Sequence, residues 1–187
     1  SKHLNKADYF GVADITEATR LRAQGISTAL VVMGGIWTYD DFVYGAKQNI
    51  LFIVYEKYQL EIIKKYEKNT SQPYSIWLKV DTGMNRLGIP MKDSKQIIES
   101  IATYKYLSEI VIMTHFANAD NLNEKAMKTQ LKNWDLVLKD IQVTNKSTLI
   151  TCANSSMLLN YPKITEDIIR PGLMLHGVYP ETKNAIN

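Results

Sequence analysis

Short apolar segments alternate with longer amphipathic ones along the chain, and this order restricts the fold more than any other feature. Short runs rich in β-branched and aromatic residues are typical of strands, whereas apolar residues spaced three and four apart are typical of helices. Seven segments predict strands: Tyr9–Ala13, Ala29–Met33, Leu51–Val54, Ser75–Val80, Ile110–Thr114, Thr148–Thr151 and Gly172–His176. The stretches between them predict helices: Ile15–Gln24, Asp40–Lys47, Tyr58–Glu67, Ser94–Tyr104, Asn123–Lys139 and a short one after Asn154. Strands separated by helices favour a parallel sheet, because parallel neighbours need a long crossover connection.

Two α/β architectures contain such a sheet: the open doubly wound fold and the (β/α)8 barrel. A doubly wound nucleotide-binding domain usually has a glycine-rich turn after its first strand. This chain has neither G-x-G-x-x-G nor G-x-x-x-x-G-K, and its only double glycine is Gly34-Gly35. The predicted fold class is therefore α/β, an incomplete TIM-like (β/α)8 barrel with about seven of its eight strand–helix units. We expect one domain over residues 1–187.

Composition argues against several classes of partner. The 22 basic and 19 acidic residues give a net charge of +3 without a basic block, so nucleic-acid binding is not expected. The single cysteine, Cys152, cannot form an internal disulfide, which favours a reducing, cytoplasmic compartment. No apolar stretch approaches the roughly 20 residues that cross a bilayer, so no membrane partner is expected. No metal site is predicted.

A barrel carries its chemistry at the C-terminal ends of its strands, and two basic residues lie at one such end. Alternation along the strand can point Lys79 into the barrel, while Gly83 and Gly88 can turn the next loop so that Arg86 covers the mouth. The alternative is that Lys79 pairs with a core carboxylate and that Arg86 lies in solvent.

Three further strand ends carry polar groups. His115 follows the next strand, although a lone histidine is more often structural than catalytic. Asn154 and Ser155 can cap the following helix, and the same N-terminus could bind a phosphate. Arg170 precedes a proline turn, and the N–H group of Gly172 can closely approach an anion. The loops after the seventh and eighth strands form the usual phosphate site of this architecture.

Taken together and in order, these segments resemble the motifs of the alanine racemases. They read LKVDTGMNRLG at 78–88, THFANAD at 114–120, ANS at 153–155 and IRPGLMLHG at 169–177. Residues 10–26 resemble the second strand and helix of the same family. The resemblance implies the N-terminal barrel of a pyridoxal 5′-phosphate (PLP) enzyme that interconverts L- and D-alanine for cell-wall synthesis.

The resemblance also implies a cofactor site. Arg170 would face the pyridine nitrogen of PLP, where a permanent cation disfavours protonation of the ring. Ser155 and the backbone at Gly172 and Leu173 would hold the phosphate, and Asn154 belongs to the same cofactor-binding group.

Three further residues would support the site. Arg86 would contact the phenolic oxygen of the cofactor and the region of the substrate carboxylate. Lys79 matches a lysine that is often carbamylated in this family and that orients this arginine. His115 would pack against the PLP ring and hydrogen-bond Arg170, without transferring protons. Two positions depart from the family pattern, Thr151 in place of a histidine and His176 in place of a tyrosine.

Two groups that the family uses for catalysis are not found in this sequence. The racemases attach PLP to a lysine on the first barrel strand and use a tyrosine from a C-terminal β domain of the partner subunit. Lys6 imitates the lysine motif, but only ten residues separate it from the Glu17 helix segment, so we expect a surface lysine. The chain is therefore expected to be a fragment that is inactive alone, truncated at both ends, from an enzyme that is a homodimer when full length.

Three other interpretations stay open at this point. One is a non-catalytic PLP-binding barrel of the cofactor-homeostasis type. Another is an amino-acid decarboxylase with the same barrel, although those enzymes usually place an acid against the pyridine nitrogen. The third is a structural fragment that binds nothing.

Overall fold

The computed structural model describes residues 4, 6–119, 124–141, 144–161, 163 and 166–179. Within them, seven strands form one sheet, in the order β1-β2-β3-β4-β6-β7, with β5 paired to β4. The strands are β1 (Tyr9–Val12), β2 (Ala29–Val32), β3 (Ile50–Val54), β4 (Tyr74–Asp81), β5 (Ile89–Pro90), β6 (Leu107–Met113) and β7 (Ser147–Thr151). Every pair of neighbouring strands is parallel.

Helices provide the crossovers between these strands. They are α1 (Ile15–Ala23), α2 (Tyr39–Lys47), α3 (Lys57–Asn69), α4 (Met91–Ala102), α5 (Glu124–Ile141) and α6 (Ser155–Asn160). Side chains cap several of their first turns, because the first N–H groups of a helix lack partners inside it. Asp14 caps α1, Thr38 caps α2 and Asn154 caps α6. The predicted start of the fifth helix at Asn123 lies outside the described residues.

One predicted strand is wrong. Residues Leu173–His176 form a short 3-10 helix, not the strand predicted at Gly172–His176. The segment beside β7 lies a few residues earlier, where the Ile168 N–H bonds the Ile150 carbonyl and the Arg170 N–H bonds the Ala153 carbonyl. A short apolar run fits a strand and a helical turn equally well by its pattern, and this run is largely exposed. The other six predicted strands are confirmed.

The two faces of the sheet carry separate apolar clusters. Side chains on the outer face pack against the helices and form the larger cluster, which includes Phe42, Phe52, Ile76 and Ile112. The inner face carries a second cluster of buried residues: Val31, Ile53, Tyr55, Trp77, Val111 and Met113. A parallel sheet with helices on one face and its own core on the other is curled, so the fold is an incomplete TIM-like barrel.

No helix in the described part of the chain combines the length and the hydropathy needed to span a bilayer.

Aromatic packing joins α2 to the outer face of the sheet, and its loss should be costly. The Phe42 ring lies 5.0 Å from the Tyr66 ring and 5.8 Å from the Tyr74 ring, both edge to face. We expect Phe42→Ala to lower the free energy of unfolding by about 3–5 kcal/mol, because it leaves a cavity in a packed core. Tyr44→Ala on the exposed side of the same helix should cost less than about 1 kcal/mol. Urea denaturation measures both, and equal losses would contradict this packing.

Candidate active site

A cavity of about 1150 Å³ opens between β1 and residues 167–176. Among its lining residues are Trp77, His115, Ser155 and Arg170, which come from separate strands and strand ends. The buried indole N–H of Trp77 has no hydrogen-bond acceptor in the described part of the chain. One lining residue of the cavity therefore has a donor without a partner in the described part of the chain.

Arg170 is the central cation of this cavity. Its Nε donates to Thr151 Oγ1 at 3.1 Å and its Nη2 donates to the Thr114 carbonyl at 2.7 Å. Its Nη1 lies 3.4 Å from Nδ1 of His115. Burial lowers the pKa of Arg170, and the nearby Glu166 opposes that change. An arginine remains protonated at neutral pH even so, because its ordinary pKa lies above 12.

His115 is held as a neutral imidazole. Burial, together with the positive charges of Arg170, Lys79 and Arg86, lowers its pKa to about 4. A guanidinium can only donate, so Nδ1 of His115 is the acceptor in this pair and Nε2 carries the proton. In this tautomer Nε2–H lies 3.4 Å from the side-chain nitrogen of Asn154, which is a contact between two donors, and the Asn154 amide donates to the Phe116 carbonyl at 3.4 Å. The ring thus lies between Arg170 and the start of α6, with its hydrogen bond to Arg170.

Lys79 points into the barrel from β4, as the strand pattern predicts, and is 6% exposed. The predicted alternative, an ion pair with a core carboxylate, is not found among the described residues. Burial and the charges of Arg86 and Arg170 lower the Lys79 pKa to about 8, with Asp81 acting weakly against them. Lys79 is therefore a buried amine among other cations.

Arg86 is exposed on the loop that follows β4. Asp81 organises this loop, because one of its carboxylate oxygens accepts the N–H groups of Gly83, Met84 and Asn85. Gly88 has a φ of +145°, and a side chain there would collide with the backbone of Asp81. The charge of Arg86 reaches both Lys79 and His115, although its side chain is open to solvent.

The predicted phosphate-binding groups lie together at the start of α6. Asn154 caps this helix, with its Oδ1 accepting the Met157 N–H at 2.9 Å. Ser155 is buried, and its Oγ accepts the Met174 N–H at 3.2 Å. A side chain at Gly172 would meet no other atom within 4 Å, so the backbone there borders open space. Leu173 begins the adjacent 3-10 helix.

This donor set fits an anionic ligand. Arg170 lines the cavity and supplies positive charge, Ser155 supplies a hydroxyl group beside open space at Gly172, and the charges of Lys79 and Arg86 reach His115 from outside the lining. Lys6 is exposed and also lies outside the lining.

Two contacts in this site were not predicted from the sequence. Thr151, named above only as a departure from the family pattern, provides an acceptor for Arg170, and Gln130 of α5 contacts the His115 carbonyl at 3.4 Å. Gln130 could have been recognised from the sequence, because it is a polar residue at helical spacing from three apolar ones. Those residues are buried on the same stripe of α5: Met127, Trp134 and Val137.

Sequence comparison identifies relatives over nearly the whole chain. An alanine racemase of Pseudomonas entomophila (strain L48) is 34% identical over 175 residues, which are 94% of this chain and 47% of that protein. An alanine racemase of Coxiella burnetii (strain CbuK_Q154) is 34% identical over 96% of this chain and 48% of its own length. The chain thus spans about half the length of these curated relatives.

Solved structures show the same fold. An alanine racemase of Clostridium difficile 630 superposes with a TM-score of 0.85 at 26% identity, covering 96% of this chain and 51% of that one. The alanine racemase of Acinetobacter baumannii gives a TM-score of 0.86 at 26% identity, with 96% and 49% covered. The family model described as "Alanine racemase, N-terminal domain" matches residues 1–180. The chain therefore belongs to the alanine racemase N-terminal domain family.

Proposed function

We propose that this chain supplies the PLP-binding barrel of an alanine racemase that interconverts L- and D-alanine for cell-wall synthesis. The observation that carries the proposal is the shared cavity, whose lining includes Arg170 and His115 together with Ser155 and Gly172. Membership of the family supports the same assignment. The proposed enzyme is a cytoplasmic homodimer when complete.

PLP, when bound, supplies the electron sink that makes the α-proton of an amino acid removable. We assign Ser155, Asn154 and the backbone at Gly172 and Leu173 to its phosphate group. We assign Arg170 to its pyridine nitrogen, because a guanidinium can only donate and thereby disfavours a proton on that nitrogen. An unprotonated pyridine nitrogen favours simple proton exchange at the α-carbon of the substrate.

His115 orients Arg170 in this proposal. With a pKa of about 4, it stays neutral at physiological pH and keeps an acceptor facing the guanidinium. A protonated ring would place a donor and a second charge against Arg170, so the low pKa preserves the contact. His115 therefore acts on the position of Arg170 and transfers no proton.

Lys79 and Arg86 form the side of the site that faces substrate. We propose that Lys79 is carbamylated: its amine nitrogen attacks the carbon of CO₂, a proton leaves the nitrogen, and a carbamate anion results. Its pKa of about 8 leaves part of the amine uncharged near neutral pH, which this reaction requires. The anion would orient Arg86 toward the phenolic oxygen of the cofactor and the carboxylate of the substrate.

We assign the removal and return of the α-proton to a lysine and a tyrosine. In this proposal, both lie in the part of the alanine racemases that this chain does not span. We therefore expect the chain alone not to racemise alanine.

Binding of PLP tests the proposed cofactor site. We expect the chain to bind PLP, measured by absorbance titration, and to bind pyridoxal, which lacks the phosphate, at least about tenfold more weakly. Arg170→Met and Ser155→Ala should each weaken PLP binding about tenfold or more, since each removes a group assigned to the cofactor. Arg20→Met, on the exposed surface of α1, is the matched control and should bind as the wild type does. No PLP binding, or equal binding of PLP and pyridoxal, would contradict the assignment.

The buried amine of Lys79 should make stability depend on pH. Its pKa falls from 10.5 to about 8 on folding, so between these values the unfolded chain binds more protons and stability rises with pH. In CO₂-free buffer, we expect the stability advantage of Lys79→Met over the wild type to shrink by about 1–2 kcal/mol between pH 8 and pH 10. Urea denaturation at several pH values measures the difference. A constant difference would show that Lys79 is not a buried, free amine.

A further inference from the structure

Gln130 of α5 contacts two of the loops that carry site residues. Its Oε1 accepts the Ala117 N–H at 3.0 Å, and its Nε2 lies 3.4 Å from the His115 carbonyl. The same Nε2 lies 3.4 Å from Oγ1 of Thr82, at the start of the loop that carries Arg86. One buried amide therefore contacts both the His115 loop and the Arg86 loop.

Further hydrogen bonds extend this connection. Oγ1 of Thr82 and Oγ1 of Thr114 lie 2.8 Å apart, and Thr114 Oγ1 also donates to the Val80 carbonyl at 2.9 Å. Asn133, three residues after Gln130 in α5, donates to the Thr82 carbonyl at 2.8 Å. Hydrogen bonds thus join the ends of β4 and β6 to each other and to α5, the helix that follows β6.

Packing places the Gln130 side chain against the loop backbone. A side chain added at Gly83 would lie 3.2 Å from Cγ of Gln130, and Gly83 has a φ of +135°. Since glycine adopts this conformation readily, the loop can pass close to the helix. Gln130 fills the space between α5 and the turn that leads to Arg86.

Burial makes these contacts energetically significant. Gln130 is 5% exposed and is a polar residue on the buried, otherwise apolar stripe of α5. A buried amide that loses its hydrogen bonds costs free energy, so it stabilises only the arrangement in which its partners are in place. The hydrogen bonds described for this side chain all lead to the two loops.

We infer that Gln130 is a positioning residue that fixes the His115 loop and the Arg86 loop relative to each other, so that the His115 ring stays against Arg170. This inference rests on the proposed function, since the position matters there for holding PLP. It concerns a residue that touches neither the cofactor nor the substrate in that proposal.

The test follows His115 directly by NMR. The chain has only three histidines, so its imidazole signals can be assigned by substitution. In Gln130→Met, which keeps a similar volume and removes the amide, we expect the His115 pKa to rise from about 4 toward the ordinary 6.5. The reason is that a loosened loop moves His115 toward solvent and away from Arg170, Lys79 and Arg86. PLP affinity should fall about tenfold, as for the loss of a positioning contact.

Two further variants separate positioning from stability. Ile101→Val in α4 lowers stability at a buried site away from these loops, and it should leave the His115 pKa and PLP affinity unchanged. Thr82→Val removes the contact of Gln130 with Thr82 and the hydrogen bond between Thr82 and Thr114, and it leaves the two contacts of Gln130 with the His115 loop in place. It should therefore shift both quantities in the same direction as Gln130→Met, by less. It also provides the test if Gln130→Met does not fold.

The outcomes distinguish this inference from the proposed function. If both loop variants lose stability while His115 titrates as in the wild type, Gln130 is not a positioning residue. If the wild type binds no PLP, the proposed cofactor site fails, but the titration of His115 still decides whether Gln130 positions the two loops.

Discussion

Arg170 is a permanent cation inside the mouth of a barrel, and the groups that bond it are a hydroxyl, a carbonyl and an imidazole nitrogen. None of these partners carries a negative charge. In the described part of the chain no carboxylate lies within ion-pair distance of Arg170. The Glu166 carboxylate, whose charge acts on Arg170 from a greater distance, accepts the N–H groups of Cys152 and Ala153. The guanidinium is therefore oriented by neutral groups and only partly balanced, so its charge remains available to a ligand.

The charge of Arg170 also sets the protonation of two other site residues. It contributes to the low pKa of His115 and of Lys79, which keeps the imidazole neutral and the amine partly uncharged. Clustered cations that are only partly balanced by Glu166 and Asp81 repel each other and cost free energy, and an anionic ligand would relieve that cost. A phosphate-bearing cofactor and a carboxylate substrate both fit this requirement, which is why the geometry and the family membership support the same proposal.

The sequence predicted most of the fold and part of the site. Six strands and their crossover helices were recognised, since strand and helix periodicity differ clearly over such segments. Residues 172–176 were wrongly predicted as a strand, because a short apolar run has no periodicity that separates a strand from a helical turn. The segment that hydrogen-bonds β7 is the one at Ile168 instead. Motifs identified Arg170, His115 and Lys79, but the contact of Thr151 with Arg170 and the role of Gln130 were missed, because these contacts join residues distant in sequence.

The account depends on one cofactor meeting the Arg170 guanidinium at its ring nitrogen and the Ser155–Gly172 region at its phosphate. A crystal structure of the chain with PLP bound measures this directly. We predict the ring nitrogen within hydrogen-bond distance of Arg170 and the phosphate against Ser155 and the Gly172 backbone. PLP bound elsewhere, or with its phosphate on Arg170 and its ring away from His115, would contradict the account.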